Sequence, residues 1–184
     1  MSSKANLQWS FMTNTNEWYT PLPYIKAVHE VLGSISLDPA SNFIANQTVN
    51  AETYFDINDD GYNKKWWGNV FLNPPYGKDP VLKSSNQAKW SSKLISEYTS
   101  GNVNSAILLV NASTDTTWFS PLWQYPICFT DHRVRFVDAD GNKGKQPVKG
   151  SAFVYFGTDK QKFADVFKVF GAVVLHAYQA ERLD

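Results

Sequence analysis

The chain has 184 residues, 43% of them hydrophobic and 15% aromatic, which suits one domain with a sizeable core. Lysine plus arginine equals aspartate plus glutamate at 17 each, so no polycationic character announces nucleic acid or a membrane surface, and any charged face must be local. The single cysteine, Cys128, rules out an internal disulfide, and three histidines far apart, His29, His132 and His176, argue against a zinc site. The stretch MSSKANLQWS lacks a hydrophobic signal region, and no run reaches the ~18 apolar residues of a membrane span. The expectation is a monomeric cytoplasmic protein without a metal.

In chain order, Thr20 and Pro21 read as an N-cap and first-turn pair. Leu22, Ile25, Val28 and Leu32 follow at helical spacing until Gly33. A strand is expected at 35–38, and 39–63 reads as loop because it is rich in asparagine and aspartate. Val70, Phe71 and Leu72 form a second apolar strand, and a helix is expected over about 87–98. An unbroken apolar strand follows at 106–110, and Asp115 can cap a short helix through Trp118 and Leu122. Strands near 127–129, 134–137 and 151–156 come next, then a helix over 160–169 and a last strand at 172–176. Short apolar strands separated by helices predict an α/β fold, a mostly parallel central sheet with helices on both faces. The whole chain, 1–184, is expected to be a single domain.

In such sheets ligands bind beyond the carboxyl ends of the strands. Three polar motifs fall at such ends: LDPASN with Asp38, FLNPPYG with Asn73, and LLVNASTD from Asn111 to Asp115. The second is chemically odd. Pro74 and Pro75 have no N–H for a sheet ladder, so pairing must stop at Asn73. Each residue before a proline is pushed into extended backbone, which stiffens Asn73 and Pro74. The Asn73 side-chain oxygen, the Pro74 carbonyl and the flat face of Tyr76 could together hold a planar amine, bonded twice and stacked once. Read singly, Asp38 is also an ordinary turn cap and NPPY an ordinary proline turn.

The set of motifs WYTP at 18–21, LDPASN at 37–42, NPPYG at 73–77, STDTTWF at 113–119 and HRVRF at 132–136 resembles the phage-type DNA adenine-N6 methyltransferases. The resemblance spans about residues 17–157 in the same order. It implies a Rossmann-like methyltransferase sheet, S-adenosyl-L-methionine as cofactor, double-stranded DNA as partner, and a phage or prophage gene. By position, it assigns Trp18, Tyr19 and Thr20 to the methionine part of the cofactor, and Asp38, Pro39 and Ala40 to the first cofactor motif. Asn73, Pro74, Pro75 and Tyr76 become the catalytic ledge, with Asn73 also beside the cofactor. A carboxylate at Asp38 is sensible beside an ammonium and a sulfonium. For the ribose and adenine ends, Asp56, Asp59 and Asp60 are candidates, with Asp60 preferred as the residue before Gly61. The chain departs from many cofactor-binding relatives in having ASNFIAN where a glycine-rich loop would stand.

Adenine N6 is a weak nucleophile because its lone pair is delocalised into the ring. Two fixed acceptors drawing on its hydrogens would turn that lone pair outward, which needs positioning and electrostatics but no strong base. A base within a duplex must first be flipped out. DNA contacts are expected from two inserted stretches. Around 78–104 the candidates are Lys78 and Lys83, with Lys89 and Lys93 adding charge. Between Arg133 and Lys149, on and just before the second stretch at about 137–150, they are Arg133, Arg135, Lys143, Lys145 and Lys149. With no room for a large recognition domain, the expected target site is short or loosely read. Two alternatives stay open: an amino-methyltransferase acting on cytosine N4, RNA or glutamine, and a DNA-binding relative without activity.

Overall fold

The structure, a computed structural model, describes residues 18–78, 83–144 and 147–175; Lys145 and His176 lie outside them. In chain order the elements are α1 (Leu22–Leu32), β1 (Leu37–Asp38), α2 (Phe43–Val49), β2 (Thr53–Tyr54), β3 (Gly68–Leu72), α3 (Asn86–Thr99), β4 (Val103–Asn111), a 3-10 helix (Ser120–Gln124), β5 (Ile127–Thr130), β6 (Ser151–Phe156), α4 (Lys160–Phe167) and β7 (Gly171–Val174). The strands form one sheet in the order β2-β1-β3-β4-β6-β5-β7.

The pairings from β2 across to β4 are parallel, and those from β4 to β7 are antiparallel. Strands β1 to β5 therefore share one direction, while β6 and β7 run against them. The sheet is mostly parallel in strand direction, but its neighbour-to-neighbour ladder changes character at β4. That change has a structural use. The β4–β6 register pairs Asn111 with Ser151, so the start of β6 lies at the same sheet edge as the ends of β1, β3 and β4.

Strand β4 explains why the sheet is covered on both sides. Ile107 and Leu109 join a core with Ile25 and Val28 of α1 and Phe163 and Phe167 of α4. Ala106, Leu108 and Val110 alternate into a second core with Leu94 of α3 and Leu122 of the 3-10 helix. A strand buried on both faces reads as a continuous apolar run, and 106–110 does. Cys128 belongs to the first core. Burial pushes its thiol up to about 12, so it behaves as the small hydrophobe expected.

Four sequence expectations need correction. Residues 39–63 are not all loop: Asn42 caps α2 by accepting from the Ala45 N–H at 2.8 Å, and Asn50 closes it in the left-handed region at φ 51°. Residues 134–137 form no strand beyond single bridges of Val137 to Tyr19 and Lys143. Asp115 caps no helix; the turn there is held by Ser113, whose carbonyl accepts from the Thr116 N–H and hydroxyl. Thr20 is not the N-cap of α1, which begins after Pro21 without a side-chain cap. Its hydroxyl is used elsewhere.

Candidate functional site

A cavity of about 1120 Å³ opens along the sheet edge where β1, β3 and β4 end. One wall is the end of β1. Asp38 is 3% exposed there, and its Oδ1 accepts from the Ala40 N–H at 3.3 Å. Desolvation raises its pKa to about 7, against partial relief from Ser41 and the Ala40 N–H; the Ser41 hydroxyl acts without a well-formed hydrogen bond. Pro39 and Ala40 line the same wall.

Gly61 brings the acidic turn against this wall. A Cβ there would collide with the Pro39 carbonyl and approach Phe55, so only glycine permits the approach. The buried Trp66 indole donates to the Gly61 carbonyl at 2.8 Å and pins the turn from behind. Asp56 and Asp60 line the cavity, whereas the Asp59 carboxylate turns back to accept from the Asp56 N–H at 2.9 Å. Asp60 also accepts from Asn63 Nδ2 at 2.6 Å.

The second wall is the ledge after β3. The Asn73 side chain donates through Nδ2 to Thr20 Oγ1 at 3.3 Å, which holds the amide in one orientation. Its Oδ1 is buried and has no hydrogen-bond partner. Buried acceptors are normally satisfied, so a lone one in a cavity wall marks a place for a donor. Pro74 is buried and Pro75 exposed. The Tyr76 ring, 44% exposed, stands edge-on to Phe136 with centroids 5.8 Å apart. Desolvation raises the pKa of its phenol, so the ring stays uncharged.

The third wall comes from residues 136–144 and 147–151, which the sequence divides between an expected strand at 134–137, a basic loop and the start of the strand at 151–156. Tyr19 and Val137 exchange backbone hydrogen bonds at 2.7 and 3.0 Å, and the Gly144 N–H bonds to the Phe136 carbonyl at 2.9 Å. A Cβ on Gly144 would run into the Trp18 ring, so glycine lets the loop lie against that indole. Gly144, Pro147, Val148, Lys149 and Ser151 line the cavity together with Asn111 and Phe136. The loop tip is closed by Asp138, whose carboxyl is held below the usual range mainly by the Asn142 N–H and side chain.

The predicted basic residues divide. Lys149 lines the cavity, and Lys143 is exposed on the same loop. Arg133 lies beside Gly150, whose Cβ would approach its guanidinium at 3.2 Å. The preceding His132 meets the Tyr24 hydroxyl at 2.8 Å and so ties this segment to α1. Arg135 is exposed. Lys78 and Lys83 are exposed on the segment between the ledge and α3 and do not line the cavity. Lys89 and Lys93 do not form an open basic face: Lys89 sits over the Tyr62 ring at 4.2 Å, and Lys93 bonds Glu97 at 2.7 Å while covering Trp66.

A family model described as DNA N-6-adenine-methyltransferase (Dam) matches residues 11–177. The chain belongs to this family. No curated protein and no solved structure matches it. The cavity wall holds a buried carboxyl, Asp38, and a lone amide acceptor, Asn73, with the Tyr76 ring also in the lining. The sequence marks Asn111 as a strand-end residue, but it gave no site role to Phe136, Ser151, Gly144 or Val148. Gly144 carried the clearest signal, as a glycine within a charged loop. No helix among the described residues is long and apolar enough to cross a membrane, and no group among them has the ligands for a metal ion.

Proposed function

We propose that this chain transfers the methyl group of S-adenosyl-L-methionine to N6 of an adenine flipped out of double-stranded DNA. The observation that carries the reading is Asn73: an amide oriented by Thr20, with a buried Oδ1 that has no partner, beside Tyr76 in the cavity wall. That oxygen and the Pro74 carbonyl accept the two N6 hydrogens and direct the lone pair away from the ring, while Tyr76 stacks on the base. The prolines keep both acceptors out of sheet pairing. The released proton passes to water, so no strong base is required in the site.

The cofactor is assigned to the donor set around Asp38, next to the ledge. Asp38 offers a buried carboxylate for an ammonium or sulfonium, and Trp18, Tyr19, Thr20, Pro39, Ala40 and Asp60 line the space around it. When bound, S-adenosyl-L-methionine supplies the electrophilic methyl carbon. The cavity volume of about 1120 Å³ exceeds the ~300–1000 Å³ typical of one small ligand, which suits two ligands side by side. Lys143, Lys149, Arg133 and Arg135 hold phosphates around the mouth.

The test is expression in a host free of methylation, followed by sequencing that detects modified bases. N6-methyladenine in a short motif is the expected result. N4-methylcytosine, or unmodified DNA from a folded protein that binds DNA, would replace this reading by one of the two alternatives.

A further inference from the structure

Flipping an adenine out of the stack leaves a gap between its neighbouring base pairs, and an apolar side chain that enters the gap stabilises the open duplex. Such a wedge must be exposed before DNA arrives, stand at the cavity mouth, and sit where phosphates are attracted. Among the described cavity residues, two apolar side chains are almost wholly exposed: Ile57 at 95% and Val148 at 91%. Ile57 belongs to the acidic turn with Asp56, Asp59 and Asp60, where charge repels a phosphate backbone. Val148 precedes Lys149 and lies near Lys143 in chain order, on the loop that also receives Arg133 at Gly150. The other exposed aromatics at the mouth are engaged, Trp18 against Gly144 and Tyr76 against Phe136.

We infer that Val148 is the wedge that enters the base stack and stabilises the extrahelical adenine. The inference rests on the proposed adenine methylation. Pro147 before it has its own φ fixed, which stiffens the chain leading to the valine. The Gly144–Phe136 bond fixes the chain on one side of Val148, and β6 begins at Ser151 on the other, so the valine does not itself hold the segment in place.

The experiment uses the full chain and two oligonucleotide duplexes carrying the site returned by modified-base sequencing. One has thymine opposite the target adenine; the other has an abasic residue there, which removes most of the cost of flipping. Val148→Ala is expected to slow methylation of the paired duplex about ten- to a hundredfold, yet to match the unaltered protein within about twofold on the abasic duplex. Val148→Leu should keep activity on both. A Val148→Ala rate on the paired duplex within about twofold of the unaltered protein overturns the wedge, and so does an equal loss on both duplexes, which would mark an ordinary DNA contact. If the unaltered protein methylates adenine in neither duplex, the underlying reading fails and the wedge with it.

Discussion

Asn73 and Thr20 lie 53 residues apart in sequence, and the hydrogen bond from Asn73 Nδ2 to Thr20 Oγ1 joins the end of β3 to the entry of α1. In this arrangement the Nδ2 end of the amide faces the threonine and the Oδ1 end is left for a ligand. With Nδ2 committed, Oδ1 is the available group, and it is an acceptor. Thr20→Val keeps the shape but removes the hydroxyl, so the amide loses its orientation. The expected effect is a two- to tenfold fall in kcat, about the worth of one hydrogen bond, with little change in KM for DNA, and Thr20→Ser should restore the rate. Asn73→Ala removes the acceptor itself and should lower kcat by about 10²–10³ or more while the protein still folds. Labelled methyl transfer to adenine measures both; a fully active Asn73→Ala would reduce NPPY to a turn.

Tyr76 stands edge-on to Phe136, a contact made by its ring. Tyr76→Phe should therefore remain active. Tyr76→Ala should lose about 5- to 150-fold in kcat/KM, the equivalent of a ~1–3 kcal/mol stack on the base. Phe136→Ala, which frees the ring without removing it, should fall between the two. If Tyr76→Phe proved as damaged as Tyr76→Ala, the hydroxyl and not the face would be the working group.

For the basic loop, changing Lys143 and Lys149 together to alanine should weaken DNA binding across sequences. Each lost phosphate contact lowers the log–log salt slope by about 0.9, so two contacts lower it by about 1.8. Fluorescence anisotropy at several salt concentrations gives the slope directly. An unaltered slope would leave both lysines as solvated surface.

Much of this arrangement could be read from residues in a row. Strand β6 has the bounds expected, and the motifs of Asp38, Asn73 and Asn111 lie at the strand ends where apolar runs stop. The failures share a cause. Asn42 and Asn50 looked like loop composition, but asparagine serves a cap as readily as a turn, and here two asparagines bracket a helix. Thr20 looked like a cap because threonine before proline suits one; its partner, Asn73, could not be inferred from local pattern. The third wall of the cavity depends on Tyr19 meeting Val137 and Trp18 meeting Gly144, contacts between remote segments that leave no periodic trace.

Asp38 supplies the sharpest test, because its protonation couples fold, cofactor and pH. Its pKa stands at about 7 in the folded protein against an ordinary value of 3.8, with desolvation as the main cause. The folded state thus keeps a proton that the unfolded chain gives up. Stability from this group is fully present below about pH 4 and is lost as pH rises to about 7. Asp38→Asn, neutral at every pH, should be more stable than the natural protein at pH 8, and the gap should close as pH falls below about 5. Cofactor affinity should move the other way. A bound cation favours the carboxylate, so the natural protein should release a proton on binding, tighten its hold as pH rises toward 7, and level off above. Asp38→Asn should bind more weakly and without that pH dependence. Calorimetry between pH 5.5 and 8.5 in buffers of different ionisation heat reads both affinity and proton release, and a pH-independent affinity in the natural protein would remove Asp38 from the cofactor's charged end.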